Sequence, residues 1–153
     1  MKKIILALLI VFSISSQAQD LKWHTNIKEA INVSSKENKP MMLFFTGSDW
    51  CGWCIRLQKE VLLTPEFKKW AKNNVVLVEL DYPRRTEQLP EIKQQNQELQ
   101  QVFGIQGFPT IFFTNVEKEK DGKINFKALG KTGYVAGGPQ AWLAEANSYL
   151  QQK

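Results

Sequence analysis

At 153 residues and 43% hydrophobic content, the chain fits one domain, long enough to bury a core without disulfide staples and too apolar for disorder. Its formal charge of +5 includes Lys2 and Lys3. Without them the balance is 18 basic to 15 acidic residues, or +3, too mild and too evenly scattered to suit a nucleic-acid partner.

Residues 1–18 read as a secretory signal. Lys2-Lys3 give the positive start, Ile4 to Phe12 is an unbroken apolar run, and Ser16-Gln17-Ala18 offers small residues where a signal peptidase inspects them. Cleavage is expected before Gln19, leaving 19–153 as the working domain. The apolar run is half the about 20 residues a spanning helix needs, and no cysteine lies near the cut to take a lipid. No membrane anchor is therefore expected after cleavage. The domain belongs to the periplasm or the cell exterior, where disulfides form and persist.

Ile27, Ala30, Ile31 and Ser34 then keep helical spacing after an Asn26 cap, and Asn38-Lys39-Pro40 ends that helix. Met41 to Phe45 is a continuous apolar run, the pattern of a strand buried on both faces. Cys51 to Val61 reads as a helix, Thr64-Pro65-Glu66 starts a further short one, and Val75 to Leu80 is a second buried strand. Asp81 to Pro90 is a polar loop. Ile92, Leu99, Val102 and Phe103 share one face of the following helix, which Gly104 stops. Ile111 to Phe113 is a third strand, and Asp121-Gly122 turns the chain into Ile124 to Leu129. Gly137-Gly138-Pro139 opens a last helix with Ala141, Trp142, Ala146, Tyr149 and Leu150 as its apolar stripe. A parallel pair followed by an antiparallel hairpin gives an α/β sandwich, a central mixed β-sheet flanked by helices on both faces.

The only cysteines stand in Cys51-Gly52-Trp53-Cys54. A structural staple across four residues would contribute about 2 kcal/mol at best. A zinc site needs three or four ligands, and His24 is the only histidine. A haem attachment site needs His after the second cysteine, where this chain has Ile55. Redox exchange is the reading that remains. A sulfur at the start of a helix faces unpaired N–H groups and the positive end of the dipole, which favour thiolate over thiol. The i, i+3 spacing brings the second sulfur within bridging reach. Cys51, at the exposed end, is expected to attack a substrate disulfide, and Cys54 to resolve the mixed disulfide.

Asp49-Trp50-Cys51-Gly52-Trp53-Cys54 after an apolar strand resembles the thioredoxin superfamily, and Gly107-Phe108-Pro109-Thr110 resembles that family's second mark, a cis proline facing the dithiol. The likeness runs from about Leu21 to Leu150 and is strongest to the secreted thioredoxin-like proteins of bacterial envelopes. It implies a thioredoxin fold, with Phe108 pairing its backbone with bound peptide beside Pro109. It also implies that Trp50 stands beside the motif, and that Gly52 and Trp53 help set the reduction potential. Trp53 is either a core aromatic or a contact for unfolded substrate.

One departure concerns the base. The family keeps a buried Asp six residues before the first cysteine, where this chain has Phe45, and the usual lysine partner is replaced by Leu77. Glu79 and Asp81 are the candidates to stand in, although Asp81 serves equally as a strand-end cap. Arg84-Arg85 is either a solvated surface or a partner-docking edge.

The function that follows is a thiol–disulfide oxidoreductase that reduces or isomerises protein disulfides through Cys51–Cys54. It needs no cofactor or metal, its substrates are protein thiols and disulfides of the envelope, and its electrons come through a membrane or periplasmic redox partner. The alternative is a thioredoxin-fold chaperone or binding module with incidental redox activity.

Overall fold

The computed structural model describes residues 21–151; the segment read as a secretory signal and the cut before Gln19 lie outside the described residues. One sheet runs through the molecule in the order β1-β3-β2-β4-β5. Its strands are β1 (Trp23–His24), β2 (Met41–Thr46), β3 (Val76–Asp81), β4 (Thr110–Lys118) and β5 (Ile124–Thr132). β2 pairs parallel to β3 and antiparallel to β4, and β4 pairs antiparallel to β5. The expected parallel pair and hairpin thus form, joined through β2 at the centre. β1 was not foreseen. It is two residues long, too short to carry a period, and exists because Trp23 and His24 pair with Leu77 and Val78.

All six residues of β2 are buried, as a central strand covered on both sides requires. Because side chains alternate along a strand, β2 and β3 supply two cores. Met42, Phe44 and Leu77 face one side, with Cys54, Leu57, Phe67 and Trp142. Met41, Leu43, Phe45, Val76 and Val78 face the other, with Ile27, Ala30 and Leu99. The helices divide accordingly. α2 (Gly52–Leu57), α3 (Pro65–Asn74) and α5 (Gly138–Leu150) cover the first core, and α1 (Ile27–Glu37) and α4 (Pro90–Val102) the second.

Local chemistry sets the helix limits. Asn26 Oδ1 accepts from the N–H of Lys28 at 2.9 Å and of Glu29 at 3.3 Å, and Asn38 in the left-handed region (φ 51°) ends α1. Thr64 caps α3 by accepting from Phe67 N–H, with Pro65 at the first helical position. Gly104, at φ +59°, follows α4 in a conformation that a side chain disfavours.

Three expectations are corrected. The helix from Cys51 to Val61 is α-helical only to Leu57, and Gln58–Leu62 is a π-helical turn closed by Leu63 N–H donating to Gln58 O at 2.9 Å. The wider turn lets the adjacent Val61 and Leu62 both enter the core. In α4, Val102 is 65% exposed; the buried side runs through Asn96 and Leu99, with Phe103 packed beyond the helix end. β4 and β5 also run past their apolar segments, because they pair with each other beyond the core, with a bulge where Phe113 gives way to Thr114.

Candidate active site

Between β2 and α2 the chain turns at Gly47, whose carbonyl accepts from Trp50 N–H at 3.3 Å and Cys51 N–H at 2.8 Å. A Cβ at Gly47 would collide with the Trp50 indole, so glycine is needed for the close approach. The turn is tied to the end of β3, where the Asp81 carboxylate accepts from Ser48 N–H at 2.8 Å and Ser48 Oγ at 2.6 Å. Of its two sequence readings, Asp81 takes that of a strand-end tie.

Cys51 is the N-cap of α2, and its Sγ accepts from Cys54 N–H at 3.2 Å. The sulfur therefore occupies the place of a capping oxygen, against the unpaired donors and positive end of the helix. Cys51 and Cys54 are bonded as a disulfide with Cα atoms 5.2 Å apart. Cys51 is less open than expected, at 6% exposure against 0% for Cys54. It belongs to the same buried cluster as Cys54, with Trp50 and Phe108 packed against that cluster.

Trp50 stands on one side of the pair. Its Nε1 donates to Tyr82 O at 2.8 Å, and its ring meets Phe108 edge-on at 5.7 Å. Phe108 also packs on Tyr82 at 5.1 Å, and its bond to Pro109 is cis, as the resemblance implied. Over the Trp50 ring lies the Arg84 guanidinium, 3.6 Å from the ring centre. Asp49 holds that loop in place. Its carboxylate accepts from the N–H of Arg84 (3.0 Å), Arg85 (2.7 Å) and Thr86 (3.0 Å) and from Thr86 Oγ1 (3.3 Å). These bonds, that from Arg84 N–H foremost, keep its carboxyl below the usual carboxylate range.

Trp53 stands apart from Trp50. It is 55% exposed, so it is not a core aromatic, and it packs against Tyr134 at 5.1 Å with Arg56 5.3 Å from its ring centre. Arg56 donates to Glu60 at 2.7 Å, and Tyr134 OH donates to the other Glu60 oxygen. The Tyr134 bond first, and then Arg56, hold the Glu60 carboxyl down, while Glu60 raises the Tyr134 phenol. Gly52, next to Cys51, meets no neighbour within 4 Å of a would-be Cβ and faces open space.

Trp50, Cys51, Cys54, Phe108 and Pro109 are thus gathered at one end of the sheet, with Gly52 and Trp53 on the outer side. Sequence reasoning missed Tyr82, Tyr134 and the Asp49 clamp. Arg56 and Glu60, at i, i+4 spacing, were readable as a pair.

Phe45 is fully buried on the face opposite Cys54, against Tyr82, Phe103 and Phe112. Glu79 shares the face of Leu77 and the dithiol. It lines a cavity of about 220 Å³ with Trp23, Phe44, Gln58, Leu62 and Leu63, beside the π-helical turn. Burial, and then the Asp81 charge, push its carboxyl pKa up. Among the described residues no cluster of three or more His, Cys, Asp or Glu is placed to hold a metal ion. No helix among them is long and apolar enough to cross a membrane.

A family model described as a thioredoxin-like domain matches residues 27–143. The chain is 37% identical over 134 residues to a disulfide bond reductase, DsbH, of Chlamydia pneumoniae, an alignment covering 88% of this chain and 75% of that protein. It is 32% identical over 136 residues to the thioredoxin-related protein DsbJ of the same organism, covering 88% of this chain but 38% of the relative. Among solved structures, a DsbH oxidoreductase superimposes with a TM-score of 0.76 at 33% identity, covering 100% of this chain and 96% of that one.

Proposed function

The chain belongs to the thioredoxin-like family of thiol–disulfide oxidoreductases, and on that premise we propose that it works as a protein-disulfide reductase of the cell envelope. The observation that carries this reading is the Cys51–Cys54 disulfide at the head of α2, with Cys51 Sγ accepting from Cys54 N–H. In the reduced protein the same N–H and the helix dipole stabilise a Cys51 thiolate.

That thiolate attacks one sulfur of a substrate disulfide. A Cys51–substrate disulfide forms, and the other substrate sulfur leaves as a thiolate that takes a proton. Cys54, having given up its own proton, then attacks Cys51 Sγ, closing the intramolecular disulfide and releasing the second substrate thiol. Two electrons have passed to the substrate, and a dithiol partner in the envelope must return them. Trp50, Gly52, Trp53 and the Phe108-Pro109 segment surround the pair and form the substrate-binding surface. The reductase direction is favoured by the name of the DsbH relative, a disulfide bond reductase. Export by cleavage before Gln19 belongs to the same proposal.

Equilibration of the Cys51–Cys54 pair in glutathione buffers tests the direction. A reductase is expected below about −230 mV, toward the roughly −270 mV of thioredoxin. A value near −180 mV, about that of protein disulfide isomerase, would make the protein an isomerase instead.

A further inference from the structure

Two cationic stacks flank the dithiol, and they differ in what answers their charge. Arg56, over Trp53 and Tyr134, is already paired with Glu60 at 2.7 Å. Arg84, over Trp50, has no carboxylate pairing with its side chain among the described residues. Asp49 is close in space but bonds the backbone N–H groups of the loop and the Thr86 hydroxyl. The clamp therefore fixes where Arg84 stands and leaves its guanidinium unneutralised.

The platform beneath it is rigid. Trp50 is held by Tyr82 O and by the edge contact with Phe108. Stacking engages the flat face of a guanidinium, while its N–H donors lie in the plane and point outward. The Arg84 fork is thus free to take a carboxylate in bidentate fashion. An open groove of about 710 Å³ runs from Arg84 past Tyr82 and Leu89 to Lys93, with Glu87 the acid along it. It has room for residues that flank a reacting cysteine.

We propose that Arg84 is a specificity-determining residue that pairs with a carboxylate beside the substrate disulfide, so that the protein selects disulfides in acidic peptide segments. The inference rests on the reductase reading above and adds the substrate class to it. No new chemical step is involved; only the encounter before thiolate attack is biased.

The test uses three peptides that carry the same disulfide flanked by Glu, Gln or Lys, with kcat/KM measured for the purified protein and its variants. Wild type is expected to favour the Glu peptide over the Lys peptide on the order of fivefold, the scale of an exposed ion pair. The bias should lie mainly in KM and shrink as salt rises to about 1 M. Arg84→Glu should reverse the order, Arg84→Gln abolish it, and Arg84→Lys keep part of it. Arg85→Glu, one residue away, should leave the order intact. Equal losses on all three peptides in Arg84→Gln would show that Arg84 merely supports Trp50, and would overturn the proposal. So would an active wild type with no preference, or an Arg85→Glu effect as large as that of Arg84→Glu. A wild type that reduces none of the peptides would instead overturn the reductase reading beneath it.

Discussion

The proposed division of labour between the two sulfurs follows from one helical turn. Cys51 caps α2 and Cys54 lies inside it, fully buried. Cys54→Ser is expected to accumulate mixed disulfides with substrate proteins on non-reducing gels, and Cys51→Ser to accumulate none; equal trapping by both would reverse or dissolve the assignment. The Cys51–Cys54 pair was legible because bridging depends on residue type and spacing, both of which the sequence states. The near-closure of Cys51 was not legible, since it comes from packing by residues distant in the chain. Glu79 offers a second test. Burial, reinforced by Asp81, puts its folded pKa above the unfolded one. The folded state therefore holds a proton that the unfolded state has lost, and stability falls as pH rises from about 4.3 through the raised value. Glu79→Gln should raise Tm at pH 7 and change it little near pH 4, as thermal melts at the two pH values read. If Glu79 also takes the Cys54 proton, the same variant slows release from a preformed Cys51 mixed disulfide, as stopped-flow reads directly.

At the scale of elements, the loop 82–89 owes its shape to a residue outside it. Asp49→Ala removes one acceptor shared by three backbone N–H groups and a hydroxyl. Hydrogen exchange at the amides of Arg84, Arg85 and Thr86 should accelerate roughly tenfold, as loss of their hydrogen bonds allows. The Asp49 carboxyl is depressed, chiefly by Arg84 N–H, so its contribution is present above the unfolded value of about 3.9 and lost as pH falls through the lower folded one. The clamp accordingly holds at neutral pH and opens only in acid. Sequence reading found the loop but not its anchor, because an Asp ahead of Trp-Cys carries no sign of what it will bond 35 residues later. The π-helical turn at Gln58–Leu62 was invisible for another reason: over one turn, the apolar positions of an α- and a π-helix differ by a single residue.

For the whole molecule, the helix-covered mixed sheet was readable because the central strand β2 is an unbroken apolar run, β3 and β4 carry apolar segments, and α1 and α5 space their apolar residues at the helical period. Trp142 shows what joins these parts. It is fully buried, its ring lies near Phe67, Trp70 and Phe113, and Nε1 donates to Gly133 O at 3.0 Å. It thereby fastens α5 to α3 and β4. Trp142→Ala should cost about 3–5 kcal/mol, seen as a fall in the denaturant midpoint with the Cys51–Cys54 bond intact. The two borders of the sheet have a different consequence. On one side β1 is two residues long, and on the other β5 carries the exposed Lys127 and Lys131 along its length. Shortness and like charge are the two means by which a sheet avoids recruiting a foreign strand. A partly unfolded client of the proposed reductase would therefore meet a short edge strand on one side and a basic one on the other, neither of which invites a foreign strand to pair. Under the proposed mechanism its hold on the protein combines contacts at Trp50, Trp53 and the Phe108-Pro109 segment with one covalent link, which lasts only until Cys54 breaks it.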